Sequence, residues 1–340
     1  MTDLDPSGIM EIGTGYWRSK VLLSAVGLGL FTKLGDAPLT LRELQEGFGL
    51  QPRPAADFLD GLVSLGLLAR EGQGDDARYM NTPETAHFLD RRSPAYLGGI
   101  LELWEERNFR FWADLTEALR TGRAQSETKR SERPFFETLY QDPRRLEAFM
   151  SAMTGASITN FKLLVKKFPF GRYRTLTDVG GANGLLSRLV AKAHPHICCT
   201  TFDLPAVTAI AERAIAAEGL KGRISAVAGD FFADPLPEAE VITMGMILHD
   251  WDLKRKKHLV RKAYAALPED GAFVAIEALI DDARRVNTFG LMMSLNMLLE
   301  LGDAFDFTGE EFRSWCEEAG FRRFEVIPLA GPSSAAVAYK

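Results

Sequence analysis

The change of rhythm after Arg174 constrains this chain more than any other feature, because from there short apolar runs alternate with helical runs. Leu176 to Val179 reads as a strand, Leu185 to Ala193 as a helix, His196 to Phe202 as a second strand and Val207 to Ala217 as a second helix. Ile224 to Ala228 and Val241 to Met246 supply two more strands, Leu253 to Ala266 a helix, and Ala272 to Ala278 a fifth strand. Strands separated by helices are joined by crossovers, which builds a mostly parallel sheet covered on both faces. The expected class is therefore α/β with a Rossmann-like sheet, whose ligands sit beyond the carboxyl ends of the strands.

The first half follows another pattern. A chain of 340 residues exceeds one ordinary core. We expect a helical domain over 1–168 and an α/β domain over 169–340, with the hinge at Phe168 to Tyr173. Gly15 to Leu34 reads as a buried helix. Thr40 with Glu43 three places on is a capping box for the next helix. A second short helix over Pro54 to Leu65 and a hairpin over Leu67 to Met80 complete a winged-helix-like pattern. Such a pattern often meets DNA, but here the second helix carries Asp57 and Asp60 against Arg53, and the net charge is −6, so no nucleic acid is expected as partner. Pro94 to Leu119 is expected to be helical and carries Tyr96, Trp104, Phe109, Phe111 and Trp112, rings suited to a core, a subunit interface or a pocket wall. Thr121 to Ser131 reads as a loop, and Asp142-Pro143 as the start of a helix running through Met153 towards Lys167.

Three cysteines make no disulfide framework, the acidic start of the chain is no signal peptide, and the longest apolar stretches fall short of a membrane span. A cytoplasmic protein without membrane contact is expected.

Candidate chemistry collects at the expected strand ends. Asp178-Val179-Gly180-Gly181-Ala182-Asn183-Gly184 joins the first strand to its helix, and glycines there let the backbone approach a ligand in front of a helix N-terminus. The spacing is not the dinucleotide fingerprint, since Ala182 and Leu185 stand where it needs glycine. Asp203 follows the second strand, where a carboxylate can accept ribose hydroxyls, and Gly229-Asp230-Phe231-Phe232 follows the third with a second acid and rings for a base. Each acid alone is equally a loop cap; with the glycine turn they form a nucleoside-binding constellation. His249, on the loop after the fourth strand, faces the same edge, and its imidazole suits removal of a phenolic proton. Glu277, at the end of the fifth strand, is placed to orient it. No metal is expected, because no clustered cysteine or His-x-x-x-His pattern is present.

On these motifs the chain resembles the caffeate and acetylserotonin type of O-methyltransferase, with its bacterial small-molecule relatives, from about Gly13 to Lys340. The stretches Asp178 to Gly184, Phe202-Asp203-Leu204-Pro205, Gly229-Asp230-Phe231-Phe232 and His249-Asp250-Trp251, in this order, carry the likeness. Ser19 to Leu22, Pro134-Phe135, Phe149 and Met153 add weaker marks. The resemblance implies S-adenosylmethionine (SAM) as cofactor and a homodimer through the N-terminal helices. It places Gly180, Gly181, Asp203, Leu204, Gly229, Asp230, Phe231, Gly245 and Trp251 against the cofactor. His249 would be the general base, with Glu277 and Asp306 as its supporting acids. Phe149, Met153, Met292, Met293, Asn296 and Met297 would line the pocket of a small aromatic acceptor. Three positions depart from the family pattern: Asp306 replaces a longer acid, Gly245 a polar cofactor contact and Ser294 an aspartate. The expected reaction is in-line transfer of a methyl group from SAM to a hydroxyl of an aromatic or polyketide-like metabolite. C- or N-methylation, a repurposed SAM-binding relative and a non-enzymatic winged-helix regulator are the alternatives.

Overall fold

The computed structural model describes residues 4–127, 129 and 139–340. These fall into two compact units, Met1–Phe109 and Arg110–Lys340. The division by packing thus lies earlier in the chain than the hinge expected near Phe168. Pro134-Phe135, one of the weaker family marks, and part of the expected loop at Thr121 to Ser131 lie outside the described residues.

In the first unit, helix Ser7–Leu28 stops at Gly29, whose φ of 73° is left-handed, and Leu30–Leu34 forms a separate turn of helix. The single helix expected over Gly15 to Leu34 is therefore broken at a glycine. Thr40 accepts from the Glu43 backbone while Glu43 reaches back, the expected capping box of helix Leu41–Phe48. Helix Pro52–Ser64 follows, then strands β2 (Leu68–Glu71) and β3 (Arg78–Asn81). A two-residue strand β1 (Leu39–Thr40), which no pattern announces, completes a sheet of order β1-β3-β2. Leu30, Phe31, Leu44, Leu59 and Leu62 fill the core. The first helix leaves Ile9, Ile12, Tyr16 and Trp17 exposed. The expected helix over Pro94 to Leu119 is instead a series of short pieces, with a π-helical turn at Trp104–Asn108 and a 3-10 turn at Trp112–Asp114.

The second unit is built on a seven-stranded sheet of order β6-β5-β4-β7-β8-β10-β9. Here β4 is Thr175–Val179, β5 Cys198–Asp203, β6 Ile224–Ala228, β7 Val241–Gly245 and β8 Ala272–Glu277. These five are parallel, as the alternation with helices requires. Strands β9 (Arg323–Pro328) and β10 (Ser334–Tyr339) were not part of the expectation, and both pairings of β10 are antiparallel. In β8 the pleat sends Phe273 and Ala275 to one face, where Phe312, Trp315 and Leu259 pack, and Val274 and Ile276 to the other, with Leu164, Val190 and Ile215. Each of the larger apolar side chains among these contributes roughly 1.5–3 kcal/mol by leaving water. Asp142 caps helix Pro143–Lys167 by accepting from Arg144 and Arg145, and the helix packs through Phe161 and Leu164 beside the sheet.

Candidate active site

All five parallel strands deliver their carboxyl ends to one edge, and the expected cofactor residues, His249 and Glu277 end those strands or lie on the loops that follow them. Beyond β4 the backbone turns through Gly180 (φ 66°), Ala182 (φ 51°) and Gly184 (φ 73°) into helix Leu185–Ala193. A Cβ on Gly180 would stand 2.3 Å from Ile247 Cδ1, and one on Gly181 would stand 2.2 Å from Thr201 Oγ1 and 2.9 Å from the Asp178 carbonyl. Ala182, by contrast, holds a positive φ that costs an alanine energy, a strain found where backbone is shaped for a ligand. The turn is fixed by Asp203, whose two carboxylate oxygens accept from Ala182 N at 2.9 Å and Leu204 N at 2.7 Å. Burial lifts Asp203 to about 6 against the lowering effect of those two donors. Beneath the turn Thr243 donates to Asp178 at 2.6 Å, and burial raises Asp178 to about 7.

After β6, Gly229 lets the Phe202 ring approach, since a Cβ would meet it at 2.4 Å. Asp230 is exposed and accepts from Phe232 N at 2.8 Å. Trp251 stands edge-on to Phe231 and Phe232, at 6.0 and 4.7 Å between ring centres, and its buried Nε1 has no hydrogen-bond partner among the described residues. A left-handed glycine turn, two carboxylates on adjacent strand ends and an orphaned indole N–H suit a ligand that carries a nucleoside and a charged chain. Gly245 has another reason to be small, because a Cβ there would press on the Phe161 ring at 3.1 Å.

His249 is buried on the short 3-10 turn after β7. Its Nδ1 lies 3.2 Å from Glu277 Oε2 and 3.5 Å from Asp306 Oδ1, and its Nε2 3.3 Å from Asp250 Oδ1. Nδ1 is aligned on neither acid well enough for a hydrogen bond among the described residues. Glu277 also fixes the turn itself, its Oε1 accepting from the Leu248 and His249 amides at 3.0 and 3.4 Å. Burial disfavours the charged imidazole, but Glu277, Asp250 and Asp306 outweigh it and raise the pKa of His249 well above 6.5. Burial likewise lifts Glu277 to about 7 while the imidazole pulls it down, so the two groups titrate together. One ligand atom from each of His249, Glu277 and Asp306 lies within 4.8 Å of the other two.

The residues expected to line an acceptor pocket lie on two helices. Phe149 packs in the cluster of Leu146, Met150, Tyr140 and Ala182, so helix Pro143–Lys167 touches the glycine turn. Met153 is half-buried on the same helix, and its neighbour Thr154 accepts from Asn183 Nδ2 at 2.7 Å. On helix Thr288–Leu301, Asn296 and Met297 are buried, Met293 is half-buried and Met292 is exposed. Asn296 is a hub: it accepts from Trp112 Nε1 at 3.1 Å and donates to Glu300 at 2.7 Å. Ser294 accepts from the Asp306 amide at 3.2 Å, which ties that helix to the supporting acid.

Four residues have a place here that sequence reasoning does not assign. Asp250 enters it only as part of the His249-Asp250-Trp251 likeness, without a role, although burial raises it to about 6. Lys256 is wholly buried on what reads as a charged helix. Tyr140 is raised by burial and by the charges of Asp203, Asp250 and Asp230, which places its phenol among those acids. Trp112 was read only as one of a group of rings. For Asp250 and Lys256 the available signal was their spacing from His249.

Comparisons with known proteins identify the family. The model of the O-methyltransferase domain matches residues 112–322, and that of the O-methyltransferase dimerisation domain matches residues 10–91. The tetracenomycin polyketide synthesis 8-O-methyl transferase TcmO of Streptomyces glaucescens is 38% identical over 335 residues, covering 98% of this chain and 97% of that protein. The N,N-dimethyltransferase OxyT of Streptomyces rimosus is 36% identical, covering 92% of this chain and 90% of its own. The crystal structure of human N-acetylserotonin methyltransferase in complex with SAM superposes with a TM-score of 0.90 at 28% identity, covering 100% of this chain and 99% of that one.

Proposed function

The chain belongs to the O-methyltransferase family and uses SAM as its cofactor, and from that premise we propose that it methylates a hydroxyl of a flat, mostly apolar aromatic or polyketide-like acceptor, with His249 as general base. The observation that carries this reading is the buried imidazole whose Nδ1 stands between Glu277 and Asp306. Two carboxylates beside one ring nitrogen favour, by their charge, a proton on that side, so that once the imidazole is neutral Nε2 is the nitrogen left to accept the proton of the acceptor hydroxyl. Asp250, 3.3 Å from Nε2, is placed to receive a neighbouring donor of the acceptor.

When bound, SAM supplies an electrophilic sulfonium methyl group. Gly180, Gly181, Asp203 with Leu204, Gly229, Asp230, Phe231, Gly245 and Trp251 are proposed to hold it at the strand ends, Asp203 by its remaining lone pairs and Trp251 by its Nε1. Phe149, Met153, Met292, Met293, Asn296 and Met297 are proposed to enclose the acceptor, methionines adapting to its outline and Asn296 offering polar contact. Most of the acceleration then comes from aligning hydroxyl and methyl in a cleft from which water is excluded. TcmO, an O-methyl transferase of polyketide synthesis, supports the acceptor class. OxyT, an N,N-dimethyltransferase, favours N-methylation as the second reading. The dimerisation domain supports a homodimer.

The test is mass spectrometry of the protein incubated with methyl-labelled SAM and a panel of phenolic, polyketide and arylamine acceptors. The expected product gains one labelled methyl on oxygen, and His249→Ala lowers its rate on the order of 10²–10⁴-fold. A label on nitrogen, or a rate unaffected by His249→Ala, would contradict the reading.

A further inference from the structure

Lys256 is one of the largest fully buried side chains of the protein, yet it carries an ammonium group in the first turns of helix Leu253–Ala266. Both circumstances work against it. Burial strips the ammonium of water, and the helix N-terminus already presents positive charge. A lysine persists there only where specific partners offset both costs.

The partners are on two different loops. The ammonium donates to the carbonyl of Trp251, which closes the segment His249-Asp250-Trp251. It also lies 3.5 Å from the centre of the Phe305 ring and 6.0 Å from that of Phe307, the residues on either side of Asp306. One cation therefore spans the loop that carries the imidazole and the loop that carries its second acid. The 3.5 Å separation of His249 Nδ1 and Asp306 Oδ1 depends on how those loops sit against each other.

We propose that Lys256 is a positioning residue for methyl transfer, its ammonium clamping the His249 loop to the Asp306 loop and sharing with the imidazole the charge of the buried acids. This rests on the reading of His249 as the base. The charged groups around the pair are Asp250 and Asp252 on its own loop, Glu277 from β8 and Asp306 from the following loop, with Glu300 acting on Asp250. Glu277, Asp250 and Asp306 all draw a proton onto His249, while Lys256 pulls Asp250 down; a cation beside these acids offsets part of their pull on the imidazole. Burial holds the lysine itself down to about 8 against the same acids. With an apolar side chain in its place, His249 keeps its proton to higher pH and the base is available only in more alkaline solution.

The experiment compares wild type, Lys256→Met, Phe305→Leu and His249→Ala with an acceptor identified as above, following kcat and KM against pH, SAM affinity by calorimetry and thermal unfolding. In Lys256→Met, SAM binds within about threefold of wild type, kcat falls roughly 10–100-fold, and the acid limb of the kcat profile moves up by about one pH unit, as expected for removal of a buried charge. Phe305→Leu keeps the cation and loses its ring, so kcat falls by about fivefold while the limb stays in place. An acid limb unmoved in Lys256→Met, or a loss of kcat matched by loss of SAM binding, would overturn the proposal. Should Lys256→Met fail to fold, Phe305→Leu decides, and an unchanged kcat there would overturn the clamp. Full activity of His249→Ala would instead sink the underlying assignment of the base.

Discussion

At His249 two effects compete, and magnitude decides between them. Burial alone would leave the ring neutral, but Glu277, Asp250 and Asp306 converge on it and the outcome is a raised pKa. A cation-bearing cofactor bound beside the ring would oppose the charged imidazole, because like charges repel, and so would help release its proton. Asp203 shows the complementary case. Its pKa, about 6 against an ordinary 3.8, means the fold favours the protonated acid. That contribution to stability is fully present below the ordinary value and is lost as pH rises through about 6. Asp203→Asn removes the penalty, so the ligand-free variant should unfold at a temperature above wild type at pH 8 and near it at pH 4, while its SAM affinity drops by more than tenfold. Thermal scans at both pH values and calorimetry check this; a variant less stable at pH 8 would show that the hydrogen bonds to Ala182 and Leu204 outweigh the burial cost.

At the scale of the element, the glycine turn after β4 joins conformational to steric need. Gly181→Ala would set a methyl 2.9 Å from a backbone carbonyl, which cannot move away as a side chain can. The expected cost is about 1–3 kcal/mol of stability, read from urea unfolding, together with weaker SAM binding. Stability within about 0.5 kcal/mol of wild type would show that the turn can shift. This turn was legible because glycine spacing, strand and helix all point to one backbone path. So were the five parallel strands, announced by their alternation with helices, and the caps at Thr40 and Asp142. Strands β9 and β10 were not, since they pair antiparallel and do not continue the β/α alternation. The aromatic segment after Pro94 misled for another reason: its composition favours a helix, while the observed π and 3-10 turns are not encoded by period. Asp306 was identified from likeness to a family, and only the structure gives its distance to His249.

For the whole molecule, the first helix poses the main question, because Ile9, Ile12, Tyr16 and Trp17 remain exposed on a unit matched by a dimerisation-domain model. Covering them in a homodimer predicts that Ile12→Asp with Trp17→Asp raises the dimer dissociation constant by at least 100-fold in sedimentation equilibrium. An unaltered dimer would place the interface elsewhere. No helix among the described residues is long and apolar enough to cross a membrane. The acids behind the imidazole set the chemistry proposed for His249, and the most direct test of that role is the pH dependence of kcat/KM for wild type and Glu277→Gln. The wild type should show an acid limb with a midpoint above 6.5, because the base must lose its proton before it can act. Glu277→Gln should move that midpoint down by about one unit or more while lowering the plateau. A wild-type limb below the ordinary imidazole value, or one unmoved by Glu277→Gln, would contradict the assignment of His249 as a base held by buried carboxylates.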